Sequence, residues 1–234
     1  MLINYFGSAS NPADNGTGGE PVTLAVTPPA SMKAGALVVM IGGHRLAADT
    51  ITLSATGGQT WNDTLNLNGT GVSTHLWWCV YNGVWAADPS LAFAAESGTI
   101  PVSAIMHVFD SDLPVRWSLD TAIAGGAEAS ASPVVITGIT PIARDTVTLA
   151  CWLVPNISTW GTLSGAGWVV TGTAQYRNSI GSDISFAFAH NIQGVPAATG
   201  DVSLIPSIAA AGGSFTICWC ANPVDTGYQV NHRR

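Results

Sequence analysis

The chain has 234 residues, of which 47% are hydrophobic and only 9% charged, and its net charge is −7. A typical soluble domain carries about 25% charged residues, so this chain can bury a large core but has few charges to dress its surface. One lysine, Lys33, and six arginines, with no cluster beyond Arg233-Arg234, argue against nucleic acid or an anionic membrane as partner, because phosphate-rich surfaces are held by several cations placed together.

In chain order, the opening MLINYFGSAS lacks the basic region and apolar run of a secretion signal. Residues 1–19, rich in Asn and Gly and short in apolar runs, are expected to form an arm that orders on assembly. Strands follow at Val22–Thr27, Ala36–Ile41, Thr50–Ala55, Thr74–Tyr81 and Val102–Phe109, then at Val134–Ile139, Thr146–Val154, Ile184–His190 and Ser214–Cys220. Each is a short run of β-branched, aromatic or aliphatic residues fenced by Gly, Pro, Asn or Asp. The nearest approach to helical spacing, Ala86–Glu96, is interrupted by Pro89. No apolar stretch is longer than Ala36–Ile41, which is far short of the roughly 20 residues that cross a bilayer. Gly42-Gly43, Gly57-Gly58, Asn68-Gly69, Asn82-Gly83, Gly125-Gly126 and Gly212-Gly213 read as turns, and their rhythm belongs to β-sandwiches and barrels.

The chain also reads as if written twice. EPVTLAVTPPASMKAGALVVMI (20–41) is answered by SPVVITGITPIARDTVTLACWL (132–153), with Pro21 and Pro133 offset by 112. ATGGQTW (55–61) is answered by SGAGW (164–168), and SAIMHVF (103–109) by SFTICWC (214–220) at an offset of 111. Half a sandwich cannot cover its own apolar face, so the expectation is one sandwich over 20–223. Its pseudo-repeats span about 20–110 and 132–221, its tail is 224–234, and Ile123–Pro133 is a loop-like connection. Whether the halves interleave their strands or pack as two sheets stays open.

Little chemistry is visible. His44, His75, His107, His190 and His232 form no HxH or HExxH motif, and a lone strand histidine is more often a core or edge residue than a ligand. Cys79, Cys151, Cys218 and Cys220 lack CxxC spacing and read as small buried hydrophobes of a reduced chain, made in a cytoplasm. No GxSxG elbow occurs. Asp110 and Asp112, in FDSDLP, read first as a turn; a calcium site and a glycosidase pair are the alternatives. Asn15, Asn62, Asn68 and Asn156 open N-x-[ST] triplets, which mark loop-like places. No catalytic, metal or cofactor residues are assigned, and an enzyme is not expected.

The nine tryptophans are the feature open to a functional use. Trp77 and Trp78 are adjacent in THLWWCVYNGVW, so on a strand they point to opposite faces. One should fill the core, and the other should face out unless a second layer or a neighbouring subunit covers it. Trp85 follows in the same segment, and Trp160 and Trp168 flank a Gly/Ser loop. Exposed, these five would suit subunit interfaces or glycan stacking; burial in the core is the plainer use of most tryptophans.

The order of these pieces resembles the duplicated β-sandwich repeats of bacteriophage and prophage virion proteins and of bacterial surface proteins. VTPPASMKAGALVVMI, the GGQTW turn, the aromatic HLWWCVYNGVW and the closing SAIMHVFDSDLPV carry it in the first half, and SFTICWCANPV closes the second. The resemblance covers roughly residues 20–223 and implies an all-β, jelly-roll-like sandwich of two pseudo-repeated halves. It further implies a virion surface subunit made in a host bacterial cytoplasm, in head decoration first and otherwise in a tail or adhesin. Its partners would be copies of itself, in trimers or other closed oligomers, and other virion proteins. The alternative is a carbohydrate-binding module or receptor-binding adhesin on a host glycan. A polysaccharide-cleaving enzyme ranks last.

Overall fold

The computed structural model describes residues 1–14, 22–45, 50–94, 100–120, 124–172, 176–178 and 184–224. Among them are seventeen strands and no helix. The first main sheet runs in the order β1 (Ile3–Asp14), β8 (Pro101–Ser111), β3 (Leu37–His44), β6 (Val72–Val80) and β5 (Asn62–Gly69), every pair antiparallel. The second runs in the order β10 (Ala124–Glu128), β17 (Gly212–Pro223), β12 (Thr146–Val154), β15 (Ile184–Gln193) and β13 (Trp168–Val170). To it β14 (Tyr176–Asn178) adds on β15, and β9 (Val115–Leu119) shares the outer edge of β17 with β10. Each main sheet is therefore drawn from one half of the chain. Two small sheets complete the fold. One is β2 (Val22–Ala25), β7 (Ser90–Phe93) and β4 (Ile51–Ala55); the other is β11 (Val134–Ile136) with β16 (Val202–Leu204).

Strand alternation explains the layering. Leu37, Val39, Ile41, Leu76, Trp78, Ile105 and Phe109 of the first sheet face Val147, Leu149, Cys151, Phe186, Phe188, Phe215, Ile217 and Trp219 of the second, forming the largest core. The intervening residues of the same strands point the other way. Val38, Met40, Trp77, Met106 and Val108 lie against Leu24, Leu91 and Phe93 of the three-stranded sheet. Ala150, Trp152, Val154, Ala187 and Ala189 lie against Val134, Ile136, Val202 and Leu204 of the two-stranded one. The result is four β layers and three apolar cores. Central strands covered on both faces read as continuous hydrophobic runs, which is why LVVMI and TLACWLV show no polar alternation. Each large aliphatic or aromatic side chain buried this way stabilises by about 1.5–3 kcal/mol.

Several expectations change. Gly42-Gly43 is not a turn but lies within a fully buried strand. A Cβ on Gly43 would lie 1.8 Å from Cζ of Phe186, and one on Gly42 would lie 2.7 Å from Cγ2 of Ile51, so the pair admits close-packed layers on both faces. Gly125-Gly126 and Gly212-Gly213 likewise sit within β10 and at the start of β17. The connection expected over Ile123–Pro133 contributes β10, paired to β17 from Ala124 to Glu128. Within Ala86–Glu96, residues Ser90–Phe93 are strand. Of the segment expected as an arm, Ile3–Asp14 is β1, paired along β8 with a register shift between Tyr5 and Gly7. The rest of that arm, the Asn15 triplet, His232 and most of the tail lie outside the described residues.

Candidate functional site

The five candidate tryptophans fall into separate places. Trp78 lies in the core between the main sheets, and Trp77 on the opposite face of the first sheet. The second layer allowed for in the sequence covers Trp77. Trp160, bridged to Pro206, and Trp168, whose Nε1 donates to Thr199 O at 3.1 Å, belong to the third core. All four are buried, so none presents a ring face to solvent. Trp85 is half-buried and is the one of the five near the surface.

The partner of Trp85 is Trp61, the last residue of the GGQTW turn. Their rings lie 6.4 Å apart, tilted by 34°, and Trp85 also stacks on Tyr81 at 5.2 Å. Trp61 is half-buried too, and its Nε1 donates to Thr56 O at 2.8 Å. The turn beneath is held by Gln59, buried despite its amide. Its Nε2 donates to Val84 O at 2.7 Å and Asn82 Oδ1 at 3.1 Å, and its Oε1 accepts from Asn82 N at 2.9 Å. Asn82 Nδ2 in turn donates to Gly58 O at 3.1 Å. Gly57 has φ 63°, where an L side chain is strained, and a Cβ there would meet Ala87 O at 2.7 Å and Trp85 Cε3 at 2.8 Å. The two half-exposed indoles are thus mounted on a turn whose amides are saturated by one another. Such a mount offers rigid apolar area with little ordering cost on binding.

The carboxylate pair is divided. Asp110 is buried within β8 beside Lys33, Nζ to Oδ2 3.5 Å. Asp112 lies in the following turn, and its Oδ1 accepts from Leu2 N at 2.8 Å. Ser111 Oγ accepts from Leu113 N at 3.3 Å and supplies the local turn bond instead. A shallow cavity of about 250 Å³ opens beside them, lined by Lys33, Gly35, Asp112 and Pro114 among others.

His75 stacks on Trp77 at 3.9 Å, with Nε2 2.7 Å from Asp63 Oδ1 and Nδ1 3.1 Å from Ile51 O. His44 is fully buried against Phe93. All four cysteines are free and buried. Burial pushes the thiols of Cys79, Cys151 and Cys218 up, that of Cys218 to about 12, so these sulfurs stay protonated and weakly nucleophilic. Among the described residues no three His, Cys, Asp or Glu side chains are grouped to hold a metal ion.

Fold and site together define an all-β protein with several antiparallel sheets, β-sandwich-like in its two main layers. No family model matches the chain, and no curated protein or solved structure matches it.

Proposed function

We propose that the chain is a non-enzymatic structural subunit of a bacteriophage particle surface, in head decoration or otherwise in a tail or adhesin, working through contacts with copies of itself and with other virion proteins. The observation that carries this reading is a surface short of charge and studded with branched aliphatics in the second half. Val135, Ile142, Val169, Val195, Ile205 and Ile208 are each at least 47% exposed, Ile142 reaching 77%. Side chains suited to chemistry go instead to the interior: the four cysteines, His44, His107 and four of the five candidate tryptophans are buried. Light scattering on the isolated chain tests the reading. A discrete closed oligomer supports it, and a clean monomer with no affinity for virion components counts against it.

The two halves are, in this proposal, pseudo-repeats. In one, β3 pairs with β6 and β8, and β2 with β7; in the other, β12 pairs with β15 and β17, and β11 with β16. β2 and β11 start 112 residues apart, the offset seen between Pro21 and Pro133. A duplicated unit that covers its own outer face suits a compact surface subunit.

A second reading rests on Trp61 and Trp85. Two half-exposed indoles on a rigid turn suit stacking against a pyranose ring, so a glycan-binding role is its content. A glycan array on the full chain tests it.

A further inference from the structure

Two histidines, one from each main sheet, meet inside the interface between the sheets. His107 of β8 is fully buried, paired across the strands with Ser8 of β1 and Val39 of β3. His190 of β15 is nearly so, between Leu149 of β12 and Val169 of β13. Tyr5 of β1 touches both. Its ring stacks on His190 at 5.4 Å with 24° between planes, and its hydroxyl lies 3.4 Å from His107 Nδ1. His107 meets Phe188 edge-on at 4.5 Å, and Thr171 Oγ1 lies 2.8 Å from His190 Nδ1.

Among the described residues, the titratable groups facing the pair can be named. They are Tyr5 from β1, the two histidines themselves, and Cys151 of β12 opposite Phe188, a thiol kept neutral by burial. β3 and β13 contribute Val39 and Val169, and β14, beside β1, carries Tyr176 and Arg177 at the register positions of Phe186 and Ser185. Among the described residues no carboxylate acts on either ring.

We propose that this pair makes β1 an acid-released latch: when the histidines take up protons, β1 lifts from β8 and admits water between the sheets, while the rest of both sheets persists. Three features favour β1 as the part that moves. It is an edge strand of its sheet, it carries a register shift beside Tyr5, and it contacts both rings. β8 and β15, by contrast, are held by strands on both sides.

The sign follows from burial. Desolvation, with repulsion from His190, holds His107 down to about 3 from an ordinary 6.5, and desolvation holds His190 down to about 4. Above 6.5 neither the closed nor the open form binds these protons, and closure is at full strength. As pH falls below 6.5 the open form takes up protons that the closed form refuses, so closure weakens progressively until the closed form itself protonates. With two such sites the closed-to-open ratio drops by up to about 100-fold per pH unit.

Hydrogen exchange on the full chain, corrected for the intrinsic pH dependence of exchange, tests this. From neutral to about pH 4.5, amides of residues 3–11 are expected to lose protection reversibly while those of β12 and β17 keep theirs. The variant His107→Leu/His190→Leu is expected to retain β1 protection in the acidic buffer. Unchanged β1 protection, loss of β12 and β17 in the same step, or the same loss in the double variant overturns the proposal. Should that variant fail to fold, histidine titration by NMR on the wild-type chain decides. Proton uptake coinciding with β1 exposure supports the latch, and uptake with β1 still protected overturns it.

Discussion

Trp78 of β6 meets Trp219 of β17 edge-to-face across the main core, ring centroids 6.5 Å apart and planes at 70°. One ring comes from each half of the chain, so this contact ties the halves together. Neither indole N–H has a hydrogen-bond partner among the described residues, so each ring carries a desolvation cost beside its packing gain. Trp219→Ala is expected to cost about 3–5 kcal/mol in chemical denaturation. Trp219→Phe is expected to cost much less, because it keeps an aromatic edge and removes a buried donor whose orphaning costs about 1–3 kcal/mol. Equal losses for the two variants would contradict both the packing of the aromatic edge and the cost of the orphaned N–H at this contact.

Gly43 and Phe186 define a second contact between the halves. The Phe186 ring occupies the volume a Cβ on Gly43 would need, and Phe186 is itself fully buried. Gly43→Ala is expected to destabilise by about 1–3 kcal/mol through overpacking. Phe186→Ala alone leaves a cavity and costs about 3–5 kcal/mol. Because each change relieves the other, the double variant is expected to fall short of the sum by at least about 1 kcal/mol. Strict additivity in urea melts would mean that the two residues do not share this space.

Most of the scaffold was legible because its central strands are hydrophobic on both faces. All nine runs read from the sequence are strands, from Val22–Ala25 to Gly212–Pro223. What escaped notice were strands of small or polar residues, such as AGGAE of β10 and NDTLNLNG of β5, whose pairing is set by neighbours rather than by their own pattern. Glycine misled for a related reason. A glycine pair marks a turn in an exposed hairpin, but in β3 it marks a strand squeezed between two layers. Of the five candidate tryptophans, Trp78 fills the main core, as alternation requires of one of the Trp77-Trp78 pair, while Trp77, Trp160 and Trp168 fill outer cores that alternation alone could not foresee, since small outer sheets cover faces a two-layer sandwich would expose. The aromatic beside Trp85 at the surface is Trp61, and its signal in the sequence is the GGQTW turn that mounts it.

The cysteines give a graded prediction. Cys79, Cys151 and Cys218 are fully buried, and burial raises their thiols. Cys220 is buried but keeps 5% exposure, beside Ser118 Oγ at 3.1 Å and Asn222 Nδ2 at 3.3 Å. A thiol-alkylating reagent on the native chain is expected to label Cys220 first and the other three only on global unfolding. Equal labelling of Cys151 and Cys220 in native buffer would contradict the layering.

If Trp61 and Trp85 form a glycan platform, either Trp→Ala change is expected to weaken binding about 10-fold, a loss near 1.4 kcal/mol. Gln59→Ala should weaken it as well, although Gln59 is buried, because it frees the turn that carries both rings. Trp160→Ala, in the third core, should lower stability and leave the affinity of the folded fraction intact. Isothermal titration against an array hit, paired with melting curves, separates these effects.

Assembly through the second half makes the last prediction. Ile142 and Val195 are among the most exposed aliphatics of the chain. Exposed substitutions away from cores change monomer stability by no more than about 0.5 kcal/mol. Ile142→Asp and Val195→Asp are therefore expected to leave the melting of a dilute monomer unchanged. If these faces are covered in an oligomer, each change also buries a charge in the interface, which costs several kcal/mol unless it finds a partner. Light scattering across a concentration series should then show the oligomer give way to monomer in both variants. An oligomer that survives both changes would place the contact elsewhere, with the sheet-edge strands β1 or β13 the next surfaces to substitute.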